Sequence, residues 1–277
     1  MKYGFVLPSG DARAAAEFAR LAEDSGWDGF FVWEPVWGVD AWVALAAAAM
    51  RTERIRLGTM LTPLPRRKPW DLAGQVATLD NLSGGRVTLS VGLGAMHEGW
   101  LAFEPDQGRR VRAELMDEGL AVLAGLWKGQ PFAYEGRHYT VKPTEFAVPP
   151  PPVQRPRVPI WVVGGWPAPR SMGRAARWDG WLPNLVGDGG AGPLQPPQLR
   201  EGVEWIRTAR AADGLGMDGY DVVAEGITPT DDPAAARAVV DPWRDAGATW
   251  WIESNWSVKA EELDDYLRRR LSAGPPA

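Results

Sequence analysis

The chain contains no cysteine, which excludes disulfides, thiolate metal sites and a cysteine nucleophile. Histidine is nearly as scarce. His97 and His138 are the only two, too few for a three-histidine metal centre, so no metal site is expected. No run of about 18 apolar residues occurs, so no membrane span is expected. The opening MKYGFVLPSGDARAAAEF lacks the apolar core and cleavage site of a secretory signal. Together these absences point to a cytoplasmic protein. Basic runs are missing too, and the net charge is −5. Nucleic acid is therefore not the expected partner, because backbone phosphates demand clustered lysine and arginine. No P-loop, Ser-His-Asp order or HExxH is present.

What is abundant is tryptophan, at 16 residues in a chain of 277. Rings of that size fill helix–sheet seams, and a few can wall a pocket for a flat or apolar ligand. The length suffices for one large domain with a sizeable core.

Along the chain a short apolar run, a turn and an amphipathic stretch recur. YGFVLP, GFFVW, IRLGTML and RVTLSVGLG read as strands, each followed by a helix. Asp40 is placed to cap one helix, and Asp232-Pro233 opens another. Pro242 should kink that helix or mark its last turn. The rhythm breaks at about 129–158, a proline-rich excursion with a small hairpin expected near Glu135-Gly136. It resumes with IWVVGG, GWLPN, YDVVAEG and ATWWIES. Strands alternating with helices imply a parallel sheet, and strands apolar on both faces imply one covered on both sides. Eight such units predict a single (β/α)8 TIM barrel over residues 1–277, with an insertion after the fourth helix. A doubly wound open sheet is the alternative.

In such a barrel the site lies at the C-terminal ends of the strands. The strand-end pair Gly164-Gly165 precedes a helix, where free N–H groups and the positive dipole end would suit a phosphate; on the dipeptide alone, a plain tight turn is the first explanation. Gly92-x-Gly94 offers another backbone that can lie flat against a ligand, without the third glycine of a dinucleotide fingerprint. His97 and Glu98 form the one His–carboxylate neighbour pair at a strand end. Glu34 stands among Trp33, Pro35 and Trp37, surroundings that raise a carboxyl pKa. Glu253 and Asn255 occupy a similar strand end. A carboxylate pair Glu34–Glu253 facing across the mouth would support a hydrolase or lyase. His138, in the hairpin, reads as structural.

Four segments resemble the bacterial luciferase-like flavin-dependent oxidoreductases, a family that includes deazaflavin-dependent reductases: LAEDSGWDGFFVWE, RIRLGTMLTPLPRRKPWDLAGQVATLDNLSGGRVTLSVGLG, LAVLAGLWKGQPFAYEGRHY and PIWVVGGWPAPRSMGRAARWDGWLPN. The resemblance runs from Tyr3 to about Leu271. It implies a (β/α)8 barrel whose cofactor phosphate is held by Gly164 and Gly165, with Asn184 adding a contact. It places Thr59-Met60 at a third-strand bulge that often carries a non-prolyl cis peptide behind the cofactor ring, and Gly92 and Gly94 beside that ring. Deazaflavin-dependent members commonly carry Asp-His where Glu34-Pro35 stands, and the sugar-phosphate dehydrogenase branch has Glu where Ala95 stands. Glu34 and His97 are accordingly the catalytic candidates, and Trp33, Trp37, Trp100 and Trp166 the candidate substrate wall. The implied activity is a monooxygenase-type oxidation of a small apolar organic molecule with reduced FMN and oxygen. The alternatives are hydride transfer with the deazaflavin coenzyme F-420 and a non-catalytic flavin-binding relative. Many members are homodimers.

Overall fold

Eight parallel strands close on themselves in the computed structural model, which describes every residue except 97, 188, 189, 193 and 277. The strands are β1 (Lys2–Leu7), β2 (Gly29–Val32), β3 (Arg56–Thr59), β4 (Val87–Gly92), β5 (Ile160–Trp166), β6 (Gly180–Gly187), β7 (Asp221–Gly226) and β8 (Trp250–Glu253). Each pairs in parallel with its sequence neighbours. The ring is closed by β1 against β8, with Lys2 level with Trp250 and Phe5 with Glu253. That closure sets aside the open-sheet alternative and makes the fold a (β/α)8 barrel.

The helices that follow the strands are α1 (Ala12–Asp24), α2 (Ala41–Ala49), α3 (Pro69–Ser83), α4 (Arg109–Trp127), α5 (Pro169–Ala176), α6 (Pro196–Ala212), α7 (Pro233–Asp245) and α8 (Leu263–Ser272). Their starts are written locally. Asp40 Oδ1 accepts the N–H groups of Trp42 and Val43, each at 2.9 Å, and Asp232 Oδ1 accepts that of Ala235 at 2.9 Å. These carboxylates satisfy first-turn donors that no carbonyl can reach. Proline at the first position of α3, α5, α6 and α7 supplies a preset φ where no N–H is needed. Pro242 lies in the last turn of α7, which it does not break.

Strand residues alternate between two cores. Phe5, Phe30, Leu57, Leu89, Val162, Trp181 and Trp251 point outward, toward the helices, into the larger one. Val6, Phe31, Met60, Trp161, Leu182, Val223, Trp250 and Ile252 fill the barrel interior. There the Phe31 and Trp161 rings lie 5.4 Å apart and those of Trp161 and Trp250 5.2 Å apart. Gly4 and Gly29 make room for them: a Cβ on Gly29 would come within 2.8 Å of the Phe31 ring and 2.9 Å of Trp250. At the N-terminal end, Asp221 accepts the Trp161 indole N–H at 3.0 Å and Lys2 lies over the Trp250 ring. The interior is thus packed shut from below, which leaves the C-terminal mouth as the place for a ligand.

Between α4 and β5, Tyr134–Glu135 and Thr140–Val141 form an antiparallel hairpin. Glu118 of α4 anchors it by accepting the backbone N–H groups of Arg137, His138 and Tyr139 at 2.9–3.0 Å. The His138 ring meets Glu114 at 3.0 Å. No helix among the described residues is long and apolar enough to cross a membrane.

Candidate active site

The two-residue repeat of the strands determines what the mouth presents. Trp33 continues the inward series of Phe31, Asn184 that of Leu182, Glu225 that of Val223, and Gly165 that of Trp161 and Val163. Register confirms one neighbour pair directly, Gly165 beside Asn184. The peptide bond Met60–Leu61 is cis, one bond beyond the Thr59-Met60 step singled out in the sequence. Leu61, half-buried against the inner core, lies beside Gly92: a Cβ added there would be 3.0 Å from Leu61 and 3.1 Å from Val163. These residues make a smooth apolar shelf above the packed interior.

Glu34 is 8% exposed and lies behind the rim. Its Oε2 accepts the Thr62 hydroxyl at 2.6 Å, and its Oε1 pairs with Arg67 at 3.2 Å. The Thr62 proton is spent on Glu34, so Thr59 is the donor in the 2.9 Å contact between the two threonine hydroxyls. A chain of buried side chains therefore ties β2, β3 and the cis-peptide segment together. Burial pushes the Glu34 carboxyl above its ordinary value, opposed by Thr62 and Arg67.

Gly94 has φ +80°, and a Cβ there would collide with the Trp100 ring at 2.0 Å. Both facts demand glycine whether or not a ligand lies near. The same holds for the pair on β5. A Cβ on Gly164 would be 2.6 Å from Trp181 Nε1, and one on Gly165 2.4 Å from Val186 Cγ2. The Trp181 indole donates to the Gly164 carbonyl at 2.8 Å. The Gly165 N–H donates to Ser171 Oγ at 2.9 Å, and this leaves the hydroxyl proton of Ser171 to offer elsewhere. Arg174 points away and grips Asp117 at 2.6 and 2.8 Å. Arg170, in the first turn of α5, is exposed and has no ion-pair partner among the described residues.

Of the four tryptophans expected to wall a pocket, Trp33 reaches the mouth and meets Trp256 edge-on at 6.5 Å. Trp37 is 84% exposed on the rim, against Phe103. Trp100 is buried beneath the Arg66 guanidinium, and Trp166 packs against the outer core. His97 lies outside the described residues. Glu253 is fully buried and faces away from the barrel interior. It accepts from the Thr228 N–H at 2.8 Å and hydroxyl at 2.7 Å and pairs with Arg270 at 3.4 Å. Glu34 and Glu253 do not face each other across the mouth, so the paired-carboxylate hydrolase has no geometric basis.

Residues 3–274 match the family model of the luciferase-like monooxygenases. The chain belongs to that family. A protein of Mycobacterium tuberculosis described as a coenzyme F420-dependent oxidoreductase is 31% identical over 242 residues, 82% of this chain and 66% of the relative. The chain thus spans just under two thirds of that relative's length. Among solved structures, the monooxygenase RslO1 of Streptomyces bottropensis superposes with a TM-score of 0.81 at 24% identity, over 99% of this chain and 98% of that one. An F420-dependent secondary alcohol dehydrogenase superposes with a TM-score of 0.78 at 18% identity, over 98% of each chain. At these identities both share the fold.

As a member of this family, the chain has a mouth that suits a planar ring carrying a phosphate. The shelf of Leu61, Gly92 and Val163 is apolar and low, and the Asn184 amide offers donors and an acceptor. Ser171, Arg170 and the N-terminus of α5 lie beside Gly165 at the end of β5.

Glu225 stands at one of the strand ends that the sequence marks for a site, but nothing in the sequence assigns it a role. It faces the mouth, its carboxyl is open to water, and no hydrogen-bond or ionic partner meets it among the described residues. Protein crowds it on its other sides, and that burial alone raises its pKa.

Proposed function

We propose that this chain is a hydride-transferring oxidoreductase that uses a deazaflavin coenzyme on a small, largely apolar organic substrate. The observation that carries this reading is the mouth itself: a smooth apolar shelf ending at a helix N-terminus, with no charged cluster among the described residues to bind a highly ionic substrate. The deazaflavin is favoured over FMN because the Mycobacterium tuberculosis relative, matched over 82% of this chain, is described as F420-dependent.

The residues divide into three tasks. Ser171, Arg170 and the first turn of α5 would hold the phosphate, with Asn184 beside them. Leu61, Gly92 and Val163 would carry the ring and exclude water from one face. Trp33 and Trp256 would bound the substrate space above it. Glu34, through Thr62 and Thr59, holds the segment that supports the shelf. The cofactor, when bound, supplies a ring carbon that accepts or donates hydride, and the protein orients the partner molecule against it.

A second reading, FMN with oxygen as co-substrate, is favoured by the monooxygenase character of the family model. Fluorescence titration of the purified protein with each cofactor, followed by turnover with and without oxygen, separates the two. Binding of the deazaflavin with oxygen-independent turnover is the expected result. Binding of FMN alone with oxygen-dependent turnover moves the function to monooxygenation. Binding of neither removes both readings.

A further inference from the structure

The inner face of the mouth carries a carboxyl that the structural scaffold does not use. The buried acids near the strand ends each have a structural partner. Glu34 has Thr62 and Arg67, and Glu253 has Thr228 and Arg270. Glu225 has none among the described residues. Its orientation follows from β7. Val222 and Ala224 sit in the outer core, Val223 sits in the inner one, and the next inward position is 225. In register it is level with the inward Ile252 of β8. On its other side the pairing of β6 with β7 ends at Trp181–Val222. Pro183, two residues on, has no N–H to extend it. Extending that register puts Asn184 level with Glu225. The faces turned toward Glu225 from β6 and β8 are thus an amide and an aliphatic side chain. Among the described residues no charged group acts on it.

An unpartnered carboxyl in an apolar wall, open to the ligand space and to water, is suited to exchanging a proton with a bound molecule. We infer that Glu225 is the general acid of the reaction, and that the substrate class is a carbonyl compound reduced to an alcohol. This rests on the hydride-transfer reading above. The reduced deazaflavin, when bound, would supply hydride to the carbonyl carbon as the C=O π bond breaks. The electron pair on oxygen takes the proton from Glu225 Oε. One C–H and one O–H bond form, the substrate gains two electrons and the cofactor loses two. The carboxylate left behind recovers its proton from water through the open mouth. In alcohol oxidation the same carboxylate accepts the hydroxyl proton.

The test begins with dicyclohexylcarbodiimide, an apolar reagent that attacks protonated carboxyls, at neutral pH, with the modified residue located by peptide mass. Glu225 should be modified, the signal should vanish in Glu225→Gln, and saturating deazaflavin should block it. An unmodified Glu225, or one the bound cofactor does not shield, overturns the inference. Cofactor binding is measured separately by fluorescence in both proteins; if the wild-type protein binds none, it is the hydride-transfer reading that fails. Single-turnover oxidation of the reduced holoenzyme by a panel of small ketones and aldehydes completes the test. Glu225→Gln should lower the rate about 10²–10⁴-fold with unchanged cofactor affinity, and Glu225→Asp should recover part of it with a shifted pH profile. A near-wild-type rate in Glu225→Gln overturns the acid role. No reduction of any carbonyl by the wild-type protein overturns the substrate class.

Discussion

The Thr62 hydroxyl donates to Glu34 Oε2 at 2.6 Å, across the step from β2 to the segment that follows the third strand. Both groups are buried, so each depends on the other. Thr62→Val keeps the shape and removes the donor. It should cost about 1–3 kcal/mol, the usual penalty for stranding a buried polar group, and urea unfolding measures it. Cofactor affinity should fall as well, because residues 60–62 support the shelf.

Glu34 also makes stability depend on pH. Its folded pKa lies above the ordinary carboxyl value of 4.5, chiefly through burial. The folded state therefore holds this proton more tightly than the unfolded chain. The stabilisation is complete below about 4.5 and is lost as pH rises through the folded pKa. The unfolding free energy of wild type minus that of Glu34→Gln should fall across that window and then level off. A difference that rises with pH there would contradict the raised pKa.

Gly165 separates a packing requirement from a ligand requirement. Gly165→Ala drives a Cβ to 2.4 Å from Val186 Cγ2 and should cost about 1–3 kcal/mol. Val186→Ala in the same chain removes the clash and should restore most of that stability. Cofactor affinity that stays low in the stable double variant places the phosphate at this strand end; full recovery of affinity assigns the glycine to packing alone.

Trp37 and Trp100 are neighbours of the mouth with opposite expectations. Trp37 is almost wholly exposed, and Trp37→Ala should change stability by no more than about 0.5 kcal/mol. Trp100 is buried beneath Arg66, and Trp100→Ala should cost about 3–5 kcal/mol. Chemical denaturation distinguishes the two.

Glu253→Gln should lose roughly 3 kcal/mol or more, because it leaves the buried Arg270 without its counter-charge. Under conditions where the variant stays folded, its cofactor affinity should match wild type. A selective loss of turnover with intact stability would return Glu253 to the chemistry.

Much of the architecture is local and was legible for that reason. The change from an apolar run to an amphipathic stretch repeats eight times, and caps such as Asp40 and Asp232 act within three residues of themselves. The break at 129–158 and its hairpin were visible as a run of prolines and a turn. The glycines at 92, 94, 164 and 165 stood out as well, but their reasons did not. Trp100, Leu61, Trp181 and Val186 crowd them, and those residues come from other parts of the chain.

The sequence by itself determined the number of βα units, their order, the family and the strand ends at which a site must lie. Tertiary structure decided which strand-end carboxylate looks into the mouth. Glu34, Glu225 and Glu253 are alike in sequence, each closing an apolar strand. Strands buried on both faces carry no polar alternation to mark the inner one. Only closure of the ring, and the way Phe31, Trp161 and Trp250 fill it, assigns inside and outside. That assignment ties Glu34 to Thr62 and Glu253 to Arg270 behind the wall, and leaves Glu225 facing the ligand space.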